Sequence, residues 1–178
     1  MSTAVVEDYG TVVGPRTIEI QRTLPGPMER IWDYLTKSEL RRQWLAAGDM
    51  DLKVGSEFIL TWHNEDLATE VGKPTEAKPS GHSAKMRVTQ CEPPRKLAYI
   101  FGENGEVSFE LKPAGDKVLL TLIHSNAPNR SSMLGVSAGW HAHLDVLAGI
   151  ISGKKAKAFW ANWAELKAVY DKRIPADS

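Results

Sequence analysis

Between Gly55 and Ser125, apolar side chains recur at every second residue in one short run after another. GSEFILTWH places Phe58, Leu60 and Trp62 on one face, with Ile59, Thr61 and His63 on the other. HSAKMRVTQC alternates Ala84, Met86 and Val88 against Lys85, Arg87 and Thr89. KLAYIFG, VSFELK (Val107, Phe109 and Leu111 inward) and KVLLTLIHS follow, with Pro93-Pro94, Asn104-Gly105 and Ala114-Gly115-Asp116 as turns. A period of two broken by turn residues is the pattern of an antiparallel meander. From about residue 134 the period changes to that of a helix and stays so to Tyr170. Trp140, Leu144, Leu147 and Ile151 form one stripe, and Phe159, Trp163, Leu166 and Tyr170 a second. Ser152-Gly153 between them is a place for a break. One curved sheet with one long element to cover it must wrap around that element. The space between them is the candidate site.

The start of the chain fits this plan. TIEIQRTL alternates as a strand, with Ile18, Ile20 and Arg22 on one side. LPGP ends it, and Pro27 suits the first turn of a helix carrying Met28, Ile31, Trp32 and Leu35 on one face. Ser38 suits the cap of a second short helix, SELRRQWL. Residues 1–15 read as a tail, 16–172 as a single domain and 173–178 as a frayed end. The polar stretch from Asn64 to Gly81 reads as a long hairpin loop, placed to act as a lid. The expected fold class is therefore α+β: a curved antiparallel sheet around a long C-terminal helix, with two short helices after the first strand.

Composition removes several function classes. Lys plus Arg and Asp plus Glu number 22 each, so no net field draws nucleic acid or an anionic membrane. Arg41-Arg42 and Lys154-Lys155 read as solvated faces. No basic and apolar leader opens the sequence and no apolar run approaches a membrane span, so the expected location is cytoplasmic. Cys91 is the lone cysteine, which leaves no internal disulfide, and its strand context favours a packing role over a nucleophile. His141 and His143 lie two apart on a helix, about 200° around its axis, and cannot share one ion. His63, His82 and His124 stand on separate strands or loop edges. No metal or cofactor is expected, and no nucleophile elbow, phosphate loop or dinucleotide fingerprint is present.

RTLPGPMERIWDYLTKSELRRQWL carries a family resemblance: a strand, a proline-helix turn, Ile31-Trp32, then Arg41-Arg42-Gln43-Trp44. VGSEF, VTQCEPPRKLAYIF, VSFELKPAGDKVLLTLIHS and GWHAHLDVLAG follow in order. Together they resemble the START/birch-pollen-allergen (SRPBCC) superfamily, in the branch of activator of heat-shock-protein-90 ATPase homologues, over roughly residues 17–152. The resemblance implies a helix-grip fold, which the hydrophobic pattern reaches independently. The 64–81 segment and the amphipathic tail from 155 to 170 exceed the usual pattern, and the tail is placed to serve subunit pairing.

Six tryptophans, four tyrosines and four phenylalanines are many large rings for a narrow fold. The cavity-facing positions expected from the phases are Trp44, Phe58, Leu60, Trp62, Met86, Tyr99, Phe109, Leu122, His124, Trp140, Leu144 and Leu147. The bland alternative is that these rings simply fill the core. The leading reading is a binding protein for a small hydrophobic ligand, with Tyr99 and His124 as polar anchors and His141, His143 and Asp145 at the rim. The resemblance offers two alternatives. One is a stress-related partner of a chaperone ATPase; the other is a small cyclase- or hydrolase-type enzyme using His124 or Tyr99 in acid–base work. Leu119 and Ile123 make the last strand apolar on its outer face too, so a homodimer or the tail helix is expected to cover them.

Overall fold

The computed structural model describes residues 9–62, 82–154 and 159–174. The elements run β1 (Thr11–Gly14), β2 (Thr17–Pro25), α1 (Met28–Thr36), α2 (Ser38–Arg41), β3 (Glu57–Trp62), β4 (His82–Glu92), β5 (Lys96–Phe101), β6 (Glu106–Ala114), β7 (Lys117–Ser125), α3 (Arg130–Ser152) and α4 (Phe159–Arg173). The strands form one antiparallel sheet in the order β1-β2-β7-β6-β5-β4-β3. β4 to β7 are the expected four-strand meander, β3 pairs antiparallel with β4, and β2 closes onto β7 with Ile20 opposite Leu122. The fold is thus the helix-grip α+β arrangement.

The strand phases hold. Phe58, Leu60 and Trp62, then Val107, Phe109 and Leu111, then Val118, Leu120, Leu122 and His124 are all buried. A bulge at Thr89 shifts the β4–β5 register between Val88 and Gln90. Thr11–Gly14, within the stretch read as a tail, forms an edge strand on β2.

Two local devices set the long helix. Asn129 caps its start, its side chain accepting from the Ser132 amide at 2.8 Å, so α3 begins four residues before the expected position. Gly153, at φ 71°, ends it in the left-handed conformation that glycine adopts without Cβ strain. The expected break therefore separates two helices. α4 packs against α3, burying Phe159, Trp160, Leu166 and Tyr170, while Trp163 is half-buried. Since α4 lies on the helix side of the sheet, it does not cover Leu119 and Ile123. Both are half-buried on the outer face, and their strand neighbours are Thr23 and Lys112 for Leu119, and Glu19 and Ser108 for Ile123.

Candidate functional site

α3 makes its close backbone approach to the sheet at β2. Toward the strands beyond it, large side chains bridge the gap. Trp140 packs on Phe109 at 5.6 Å between ring centroids and on Phe101 at 5.2 Å. Phe109 meets Trp44 edge-on at 6.4 Å and Tyr99 at 6.1 Å. Tyr99 meets Phe58 at 5.1 Å, and Phe101 meets Trp62 at 5.8 Å. Seven aromatic residues and His124 thus form one continuous ring layer beneath α3, with Leu144 and Leu147 buried on the helix side and Leu60, Met86 and Leu122 on the sheet. All twelve residues expected to line the site are buried.

Phe101 is the member the sequence reading omits, although it sits two residues after Tyr99 in the same strand phase. It touches the rings of Trp62, Tyr99, His124 and Trp140. The expected lid, 64–81, lies outside the described residues, as does His63.

The polar groups of this layer differ in how far the fold itself uses them. Trp140 Nε1–H donates to His124 Nδ1 at 2.9 Å. Nδ1 being the acceptor, the neutral ring carries its proton on Nε2, which donates to the Asn104 carbonyl at 2.5 Å. Burial lowers the His124 pKa, partly opposed by that carbonyl. Both nitrogens are engaged inside the protein, so His124 lines the layer as a fixed neutral ring. Tyr99 is different. Burial raises its pKa well above the usual value, against the opposing pull of Arg41, so its hydroxyl keeps its proton.

Arg41 corrects the expectation of a solvated face. It is fully buried, whereas Arg42 is exposed. Its Nε donates to the Ala46 carbonyl at 3.2 Å, Nη1 to Thr36 at 3.1 Å and Nη2 to Gly48. These carbonyls belong to the end of α1 and to the loop after α2. A guanidinium fans its donors widely enough to tie both together. Ser38 does not cap α2; its hydroxyl accepts from the Gly48 amide at 2.9 Å.

His141 and His143 also depart from expectation, since both are buried rather than at a rim. They do point to different sides. His143 Nδ1 lies 2.8 Å from the Trp44 carbonyl and its ring packs on Phe159 at 4.4 Å; burial lowers its pKa to about 4. His141 Nδ1 lies 2.8 Å from the Tyr170 hydroxyl, which accepts from the Gly10 amide at 2.6 Å. Asp145, a third exposed, meets Arg22 at 3.4 Å, His141 at 3.6 Å and Asn162 at 2.8 Å. This second cluster fastens α4 and the start of the sheet to α3. Burial pushes the Tyr170 hydroxyl up to about 12, so it serves as a protonated hydrogen-bonding group.

Among the described residues no three His, Cys, Asp or Glu side chains gather as a metal would require. Nor is any described helix long and apolar enough to cross a membrane. Cys91 is half-buried, and desolvation pushes its thiol up, away from thiolate reactivity.

The family model for activator of Hsp90 ATPase homolog 1-like proteins matches residues 25–152, most of the chain. The protein belongs to that family. Its fold is similar to the solution structure of the protein encoded by gene BPP1335 of Bordetella parapertussis. That protein is 34% identical, with a TM-score of 0.76, over 98% of this chain and 94% of that one. CalU16 from Micromonospora echinospora is 23% identical with a TM-score of 0.66, over 90% and 89% of the two chains. EF2215 from Enterococcus faecalis is 19% identical with a TM-score of 0.69, over 93% and 88%. Among curated proteins, none matches the sequence.

Proposed function

We propose that this family member holds a small, mostly apolar ligand between α3 and the sheet, within the ring layer of Trp44, Phe58, Trp62, Tyr99, Phe101, Phe109 and Trp140. The observation that carries this reading is the wedge between helix and sheet. Backbone contact is close at β2, and farther across the sheet the Trp140 ring reaches Phe101 of β5 and Phe109 of β6. Rings in edge-to-face contact contribute about 0.5–1.5 kcal/mol per pair, and they can part to admit another flat apolar group with similar contacts. Binding is favoured over acid–base catalysis because His124 has both nitrogens engaged and Tyr99 is held protonated. The test is native mass spectrometry of the protein as purified, with displacement of a neutral naphthylamine dye by apolar compounds. Saturable uptake of one dye per chain supports the reading, and a chain that takes up none refutes it.

The family description favours a second reading, a role beside a chaperone ATPase. Measuring that ATPase with and without this protein separates the two, since a ligand carrier leaves the rate unchanged.

A further inference from the structure

Taking the ligand-binding reading as its basis, we infer that the ligand carries an anionic head group, a carboxylate or similar oxyanion, bound by Arg41 and Tyr99 beside Phe58. Arg41 is fully buried and donates three hydrogen bonds, all to neutral backbone carbonyls. A guanidinium has five N–H donors. Two therefore have no acceptor among the described residues, and no carboxylate of those residues lies within ion-pair distance. The one carboxylate that acts on it is Asp49, exposed and beyond ion-pair distance, so the buried cation is only partly compensated, which is costly. An incoming oxyanion would remove that cost.

Tyr99 supplies the second donor. Its ring is buried, while its hydroxyl, with no hydrogen-bond partner among the described residues, is not sealed off as Ser137 Oγ and Trp160 Nε1 are. The Phe58 ring is the shared neighbour, 5.9 Å from Arg41 Cζ and 5.1 Å from the Tyr99 ring centroid. The two groups act on each other electrostatically across this short space. Burial lowers the Arg41 pKa from a starting value so high that the cation persists at neutral pH. Arg41 offers donors only and the protonated Tyr99 can offer its hydroxyl proton, while the exposed Asp49 carboxylate is the negative group an anion would have to approach alongside. The rings of Phe58, Phe109 and Trp44 around them suit the apolar body attached to that head group.

Two dyes sharing one ring body test this: 8-anilinonaphthalene-1-sulfonate, an anion, and neutral N-phenyl-1-naphthylamine. Fluorescence titration of the full chain should show tighter binding of the anion, on the order of tenfold, as one charge-assisted contact provides. Tyr99→Phe keeps the ring and should weaken the anionic dye several-fold more than the neutral dye. Arg41→Met should abolish the preference; if that variant does not fold, Tyr99→Phe decides alone. Equal affinities for both dyes, or a Tyr99→Phe effect shared by both, would overturn the anionic head group and leave the apolar site standing. Failure of both dyes to bind the wild type would overturn the site and the inference together.

Discussion

Trp140 on α3 donates its indole N–H to His124 on β7, and this bond fixes the proton of the histidine on the opposite nitrogen. One contact thereby joins the gripping helix, the centre of the sheet and the turn after β5 that carries Asn104. It also gives the tryptophan a defined place in a layer otherwise built from non-directional ring contacts.

Trp140→Phe keeps most of the ring area but removes the donor. His124 Nδ1 is then buried without a partner, at a cost of about 1–3 kcal/mol. Urea unfolding should show that loss at pH 7. A midpoint equal to that of the wild type would mean the bond contributes nothing.

The pH dependence follows from His143. Its pKa falls from about 6.5 when unfolded to about 4 when folded, because burial disfavours the charged ring. The unfolded chain therefore binds the proton first as pH drops. Stability is unaffected above pH 6.5 and declines between pH 6.5 and pH 4, by roughly 3 kcal/mol in full. His124, shifted in the same direction, adds to the slope. Replacing His143 with glutamine should flatten the decline between pH 6.5 and 4.5 in urea titrations. An unchanged slope would contradict the assignment.

Gly48 explains how Arg41 is held. Its φ of 147° is one that L side chains rarely adopt, and an added Cβ would fall 1.9 Å from the Ile59 carbonyl oxygen. Gly48→Ala must therefore displace the loop whose carbonyls hold the guanidinium. We expect a loss of more than about 2 kcal/mol by thermal unfolding. A melting temperature within a degree of the wild type would show that the loop moves freely.

Strand phases were legible because burial on one face writes itself as alternation. Phe58, Leu60 and Trp62, and the run from Val118 to His124, lie as that alternation requires. What the sequence hid depends on partners far along the chain. Arg41 reads as a surface charge until the carbonyls of Thr36, Ala46 and Gly48 converge on it. His141 and His143 read as rim residues on a wheel of α3 alone. They are buried because Tyr170 and Phe159 of α4 fold back over them, which no periodicity within α3 reports. Phe101 shares the strand phase of Tyr99, so its place in the layer is legible from the alternation of β5.

The most direct test of a ligand site beneath α3 is a proton–nitrogen NMR titration with N-phenyl-1-naphthylamine, read at the tryptophan indole signals. Trp44 and Trp140 have indole N–H groups pinned inside the layer, to the Tyr34 carbonyl and to His124, whereas Trp163 sits at the half-buried edge of α4. The account predicts saturable shifts at Trp44 and Trp140 with Trp163 unmoved. Shifts confined to Trp163, or none at saturating dye, would contradict it.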